Sequence, residues 1–393
     1  MSSTIYITGA ARTAIGTFGG ALATQSPIAL ATHVARAAIE RAGIEAERVG
    51  LSVFGHVINT EPRDLYLSRV AAVEAGVPVA SPAMNVNRLC GSGAQAIVSG
   101  MQSLLLGDAD IALVGGAECM SRGPHATQGI RSGQKMGGLS FADMMLGALN
   151  DPFGNGHMGI TAENIAEELS ISRQDQDSFA VESHRRAAQA IDRGVFVEQI
   201  APLHIETRKG TVTVDTDEHV RRDVTPESMA SLRPAFAKDG SVTAGNSSGI
   251  NDGAAALILM TEKGLADSGA TPLAEITGYA HAGVEPRVMG LGPVPAVRAL
   301  ERRTGIATAD IDIIESNEAF AAQACAVSRQ LDLDASRVNP NGGAVALGHP
   351  VGATGAILTV KAVYELRRLN RDLGLVTMCI GGGQGIALGL RRV

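Results

Sequence analysis

Arg41-Ala42-Gly43-Ile44 returns 262 residues later as Arg303-Thr304-Gly305-Ile306. Gly93-Ala94 returns at the same spacing as Gly355-Ala356, and Leu113-Val114 as Leu375-Val376. One such match means little, because the residues are common. Three in a single register across about 70 residues imply a duplicated unit. Each copy reads alike. A helical stretch (Ile28–Ala42; Pro295–Thr304) leads to an apolar strand (Val49–Phe54; Ile311–Glu315). A glycine-rich turn and helix follow (Cys90–Leu106; Gly352–Leu366), then a second strand (Ile111–Gly115; Leu373–Met378). Alternating strands and helices predict α/β layers. Short, almost wholly apolar strands predict sheets covered on both faces.

The register breaks at the last strand. Gly385–Leu388 closes the second copy soon after Cys379, whereas its counterpart, Gly253–Met260, lies about 130 residues beyond Ala117. The first copy is thus predicted to carry an insertion over about 120–250. Helices are expected there at Ala162–Leu169 and Arg173–Arg193, with a charged hairpin-like run at Glu206–Arg222. Such a segment suits a ligand-binding cap. The expected division is 1–120 with 250–270, an inserted 121–249, and 271–393.

The 393 residues are 45% hydrophobic and 19% charged, enough for a large core and unlike a disordered or collagen-like chain. Lys and Arg total 33 against 40 Asp and Glu, a net charge of −7, and there are 8 Phe, 4 Tyr and no Trp. That balance makes a poor nucleic-acid binder, while leaving room for one basic patch facing a phosphorylated ligand. Cysteines stand at 90, 119, 325 and 379, with no C-x-x-C pair and no zinc-spaced His/Cys cluster. Neither a structural metal nor a disulfide framework is expected. Met1-Ser2-Ser3-Thr4 runs into a strand-like Ile5-Tyr6-Ile7 without a signal or transit segment. No apolar run reaches 18 residues, and Arg391-Arg392-Val393 is not a peroxisomal tripeptide. A cytoplasmic protein is expected.

Four positions carry chemistry. Cys90, in Asn87-Arg88-Leu89-Cys90-Gly91-Ser92-Gly93, precedes a helix with apolar Ala94, Ile97, Val98, Met101, Leu104 and Leu105, ended by Gly107. A helix N-terminus favours a thiolate; by position alone, Cys90 fits either a nucleophile or a small buried thiol. His349 lies three residues before Gly352, the counterpart of Cys90, so a pseudo-twofold would bring it near that thiol as a base. It equally fits a loop histidine. Cys379 follows a strand and opens Ile380-Gly381-Gly382-Gly383, whose N–H groups could cradle an oxyanion. A core cysteine reads as well. Asn317 ends the strand Ile311–Glu315, where its amide could orient a water, or merely form a turn. Gly91-x-Gly93-x-x-Ala96 loosely fits a dinucleotide fingerprint but follows no good strand. Gly245-Asn246-Ser247-Ser248-Gly249 fits a hydrolase elbow but also lacks one. Cys119 and Cys325 read as structural.

Taken together, these residues resemble the thiolase family along the whole chain. The likeness rests on Asn87–Gly93, Asn317-Glu318-Ala319-Phe320, Gly348-His349-Pro350 with Gly352 and Gly355, and Cys379-Ile380-Gly381-Gly382-Gly383. In the insertion, His157-Met158-Gly159 and Ala244-Gly245-Asn246 also match. The pattern is most similar to the biosynthetic branch, the acetyl-CoA acetyltransferases and β-ketothiolases of polyhydroxyalkanoate-forming bacteria. Cys119 departs from the small polar residue usual there, and Val345 and Val351 from the common Ile. None of the three is expected to touch the chemistry.

The resemblance implies a five-layered αβαβα fold of two duplicated halves, with an inserted loop domain for CoA binding and tetramerisation. It implies reversible Claisen condensation of two acetyl-CoA to acetoacetyl-CoA plus CoA. Cys90 would be acylated, activated by His349, and Cys379 would move the α-proton. His349 with an Asn317-held water would form one oxyanion hole, and the N–H groups of Cys90 and Gly381 the other. CoA contacts would fall on His157, Met158, Arg221, Phe236, Ala244, Ser248 and Phe320. The family needs no metal or other cofactor, since the CoA thioester is the substrate. Implied partners are acetyl-CoA, acetoacetyl-CoA or another 3-ketoacyl-CoA, and CoA, in a homotetramer without nucleic acid or membrane. Rival readings are a degradative 3-ketoacyl-CoA thiolase for longer chains, a decarboxylating ketosynthase with only one catalytic Cys, and a CoA-binding scaffold.

Overall fold

In a computed structural model, residues 4–208 and 210–393 are described. The 262-residue offset recurs element by element. Strands Leu51–Gly55 and Ile313–Ser316 begin at that spacing, as do helices Ser92–Leu106 and Thr354–Leu369 and strands Ile111–Cys119 and Leu373–Ile380. Helices Pro27–Ala42 and Pro293–Thr304 both end on a left-handed glycine, Gly43 and Gly305. Only glycine takes that conformation without a Cβ penalty, which is why the repeated Gly-Ile pair was visible in the sequence.

The first half orders its strands Ala83–Val86, Leu51–Gly55, Ile111–Cys119, Asn251–Thr261, Ile5–Arg12. The second orders Ile313–Ser316, Leu373–Ile380, Gln384–Arg392, Ala274–Gly283. Its fifth strand is reduced to one bridge, Ile314 to Val338. The opening strands of both halves break register at one residue, between Ile7 and Gly9 and between Ile276 and Gly278. The sheets touch edge to edge at Tyr6–Glu275 and Ile7–Ala274.

Helix Pro27–Ala42 covers the outer face of the first sheet and Pro293–Thr304 that of the second, while Ser92–Leu106 and Thr354–Leu369 pack against each other between them. These are the five layers. Every residue from Thr354 to Leu366 is buried, as a helix walled on all sides requires. The central pair crosses at its glycines. A Cβ on Gly93 would lie 2.6 Å from Ala356 N, and one on Gly355 2.2 Å from Ala94 N. The second repeated motif is therefore the crossing point of the pseudo-twofold, and it brings the two helix N-termini together.

Among the described residues, the segment between Cys119 and Asn251 adds no strand to the large sheet. A buried fork from Arg12 to Asp217 (2.8 and 3.0 Å) ties it to the first strand. Its first long helix spans Met158–Glu168, starting earlier than Ala162 because His157 Nδ1 accepts the Gly159 N–H as an N-cap. The second spans Arg173–Asp192, capped by Ser172 and Asp175. The hairpin pairs Leu203–Thr207 with Gly210–Val214 and excludes 215–222. Its register follows the apolar residues Leu203, Ile205, Val212 and Val214 rather than the charges. Met1–Ser3 and Lys209, which belong to two sequence expectations, lie outside the described residues. Among the described residues, no helix is long and apolar enough to cross a membrane.

Candidate active site

Cys90 sits between strand Ala83–Val86 and helix Ser92–Leu106. That short strand corrects the expectation that the glycine turn follows no good strand; its half-buried Ala-Met-Asn-Val carries no apolar run. Leu89 holds φ at +44°, a strained value for a bulky side chain. Gly91 lies where a Cβ would come within 2.4 Å of Ile380 Cδ1, so this loop interlocks with the one after Cys379. Burial pushes the Cys90 thiol up, against the N–H groups of Gly381 and of Cys90 itself, which pull it down. Desolvation outweighs these two donors, and the resting group is a thiol.

His349 is held by the first half. Its N–H donates to Asn251 Oδ1 (3.0 Å), and Asn251 Nδ2 donates to Gly16 O (3.0 Å). Gly348 stands at φ +109°, with the position of a Cβ only 2.4 Å from Asn251 Cγ, so no other residue fits there. Burial lowers the His349 pKa to about 4, leaving a neutral imidazole. Its Nδ1 lies 2.6 Å from Thr354 Oγ1 and its Nε2 3.4 Å from Asn317 Nδ2. Asn317 is buried with Oδ1 unpartnered, an acceptor able to hold a water. Cys379 is fully buried; desolvation and then the nearby Cys90 sulfur raise its pKa.

Of these groups, Cys90 and His349 face a cavity of about 310 Å³. Cys90, His349 and Gly381 form its floor, and His157, Met158, Phe236, Ala244, Ser248 and Phe320 its walls. His157 stacks on Phe236 (4.8 Å between ring centres), which meets Phe320 edge-on (5.9 Å). Gly159 makes the stack feasible, since a Cβ there would strike the Phe236 ring at 2.2 Å. Burial lowers the His157 pKa, so the stack is a neutral, largely apolar wall.

A thiol, a neutral imidazole and two backbone donors converge on this cavity from both halves, with a second thiol packed behind them. The chain matches the family model for the thiolase N-terminal domain over residues 5–263 and that for the C-terminal domain over 270–392. The chain is a thiolase. It is 55% identical to the beta-ketothiolase BktB of Cupriavidus necator, covering 100% of both chains. Among solved structures, it matches the Bacillus anthracis acetyl-CoA acetyltransferase at TM-score 0.97 and 43% identity, covering 100% of this chain and 99% of that one. It matches a human mitochondrial 3-ketoacyl-CoA thiolase at 0.98 and 40%, again covering 100% and 99%; the same human enzyme has also been solved in complex with CoA.

Not every expected residue lines the thiolase cavity. Cys379 and Asn317 lie beneath its floor, reaching it through Cys90 and His349. Arg221 does not line it; its side chain is exposed, and its backbone N–H donates to His184 Nδ1 (3.1 Å). Val351 does line it, although it is not one of the groups expected to carry the chemistry. With Met120, Ala148, Leu149 and Ile250 it forms an apolar wall beside Cys90 that the motifs did not disclose. Ser247, in the elbow-like stretch, is buried and donates to Thr243 O (2.7 Å), with no strand before it. Cys119 is buried against Leu22 O, and burial pushes Cys325 up to about 12. Another depression, of about 410 Å³, holds Cys325, Arg329 and Asp175 and none of the converging groups. Among the described residues, no three His, Cys, Asp or Glu side chains gather to hold a metal ion.

Proposed function

We propose that this thiolase is an acetyl-CoA C-acetyltransferase, condensing two acetyl-CoA to acetoacetyl-CoA and CoA and running the reverse thiolysis. The observation that carries the reading is the convergence of Cys90, His349 and Gly381 on one cavity, with Cys379 and Asn317 packed against them. Neutral His349 takes the Cys90 proton as the sulfur attacks the thioester carbon. The N–H groups of Cys90 and Gly381 face the developing oxyanion; a donor so placed is worth about 2.7–4 kcal/mol. The departing CoA sulfur takes the proton of Cys379, leaving acetyl-Cys90, a His349 imidazolium and a Cys379 thiolate.

Cys379 then removes an α-proton from a second acetyl-CoA, and the enolate oxygen faces His349 and the water on Asn317. Carbon attack on acetyl-Cys90 releases the Cys90 sulfur, which recovers its proton from the His349 imidazolium, while Cys379 keeps the α-proton as its thiol hydrogen. A buried thiol of raised pKa is a strong base once ionised, as a weak carbon acid demands. The chemistry uses side chains and backbone amides alone, with the CoA thioester as substrate and no added cofactor. The neutral ring stack of His157, Phe236 and Phe320 suits the pantetheine arm, and exposed Arg221 the phosphates.

A homotetramer belongs to the same reading. It is supported by an exposed apolar run in the insertion, with Ile130 58%, Met136 89% and Phe141 58% accessible. Four free cysteines suit the reducing cytoplasm. The second reading, thiolysis of longer 3-ketoacyl-CoAs, is favoured by the apolar wall of Met120, Ala148, Leu149 and Val351 beside the nucleophile. Intact mass after mixing with acetyl-CoA tests the first: Cys90→Ala should take up no acetyl group, and Cys379→Gly should acetylate but not condense. Normal condensation by Cys379→Gly would remove Cys379 from the mechanism. Thiolysis rates on four-carbon and longer 3-ketoacyl-CoAs decide between the two readings.

A further inference from the structure

The two halves begin their central helices with the same hydroxyl and use it differently. In the first half, Ser92 Oγ donates to Leu89 O (2.7 Å) and accepts the Arg88 N–H (2.8 Å). At the 262-residue offset, Thr354 corresponds to Ser92 and Pro350 to Arg88. Thr354 Oγ1 donates to Pro350 O (2.9 Å), but proline has no N–H to offer in return. The hydroxyl lone pair is therefore open, and His349 Nδ1 fills it at 2.6 Å. A hydroxyl has one hydrogen; donated to Pro350 O, it leaves the Thr354 oxygen to accept from Nδ1. Nδ1 then carries its own proton and Nε2 the lone pair, the arrangement that the reading of His349 as a base requires. The neighbour of Nε2 agrees, being the Asn317 amide nitrogen at 3.4 Å, a donor.

We propose that Thr354, through the vacancy that Pro350 creates, is a positioning residue that locks His349 in its Nδ1–H tautomer, so that Nε2 is the atom that receives the Cys90 proton. Thr354 is 2% and His349 5% exposed, so solvent is poorly placed to substitute for the hydroxyl. This rests on the reading of His349 as the base. In the other tautomer, Nε2 carries hydrogen and cannot take a proton.

The test is the rate of Cys90 acetylation by acetyl-CoA, followed by quenched intact mass. Thr354→Val should slow it about 10- to 100-fold with KM within about twofold, as misorientation of a reacting group does. Thr354→Ser should restore it to within about threefold. Pro350→Ala, which returns an N–H to compete for the hydroxyl, should slow it in the same direction, and it decides the matter if Thr354→Val does not fold. Paired with His349→Asn, Thr354→Val should cost little beyond the single change. Acetylation at the wild-type rate by Thr354→Val, or an equal cost in both backgrounds, overturns the proposal. Wild-type acetylation by His349→Asn alone would instead overturn the assignment of His349, a separate result.

Discussion

Glu318 adjoins Asn317 and is the point where the loops carrying Asn317 and His349 are joined. It is 2% exposed. Its Oε2 accepts Ser183 Oγ (2.7 Å) and Val345 N (3.1 Å), and its Oε1 accepts Asn339 Nδ2 (2.7 Å). Val345 lies in the short helix Ala344–Leu347, directly before Gly348 and His349. Burial raises the carboxyl pKa, with Ser183, Asn339 and Val345 pulling it back. Glu318→Gln keeps the shape but loses an acceptor. If the amide oxygen faces Ser183 and Val345, the NH₂ group faces Asn339 Nδ2, donor against donor. Asn339 cannot turn over, because its Oδ1 accepts Ser316 N (2.9 Å). One buried donor left unpaired costs about 1–3 kcal/mol, and the bonds that remain lose their charge assistance. Stability should therefore fall by roughly 2–4 kcal/mol in urea unfolding. Slackening both loops weakens one oxyanion hole, so kcat for condensation should fall about 10- to 100-fold, short of the 1000-fold upper figure for removing a donor outright. Unchanged stability would refute the hydrogen-bond argument. A stability loss with kcat within about twofold of wild type would show that the clamp does not govern the loops.

Because burial holds His349 near a pKa of about 4, acetylation of Cys90 should lose its base only as the pH falls toward that value; an acid limb near the ordinary histidine value of about 6.5 would refute this. His56 is buried against Glu118, which also accepts Val57 N, Ile58 N and Gly352 N; desolvation opposes protonation, but the carboxylate prevails and the His56 pKa is raised. That pair contributes stability fully present below about pH 6.5 and lost as the pH rises past the raised value, so His56→Phe should flatten this dependence in pH-resolved urea unfolding. Val351→Ile adds a methylene to the wall beside Cys90 and should slow thiolysis of longer 3-ketoacyl-CoAs more than that of acetoacetyl-CoA, by about 0.8 kcal/mol or fourfold if the space is taken from the acyl chain; equal slowing of both would remove Val351 from chain-length selection. Gly355→Ala places a Cβ 2.2 Å from Ala94 N and should cost about 1–3 kcal/mol or more in unfolding, with wild-type stability refuting the crossing-point argument.

The duplication was legible because what repeats is backbone geometry that only certain residues permit: a left-handed cap at Gly43 and Gly305, a close crossing at Gly93 and Gly355. The contacts that hold the site were not, because their partners are backbone amides brought together by folding. Glu118 reaches Gly352 N across 234 residues, and Asn251 reaches His349 N across 98. Nothing local marks either carboxylate or amide as different from a solvated one. Strand Ala83–Val86 escaped notice for a related reason: its Asn85 looks like a loop residue but accepts Ser68 N and donates to Asp64 O.

Set against each other at the 262-residue offset, the halves also show why the chemistry is lopsided. Cys90 faces Gly352, His349 faces Asn87, Cys379 faces Ala117, Asn317 faces Gly55 and Gly381 faces Cys119. One half contributes the nucleophile and one backbone donor, and the other most of the side chains that act on it. A symmetric pair would place two equal thiols against two equal bases, and their macroscopic ionisations would be shared between the sites. Divergence of a few loop residues on a conserved pair of helices instead separates the roles, since environment alone sets each group's proton affinity. The frame that makes this work is the part that did not diverge, the glycine crossing that keeps both helix ends on one cavity.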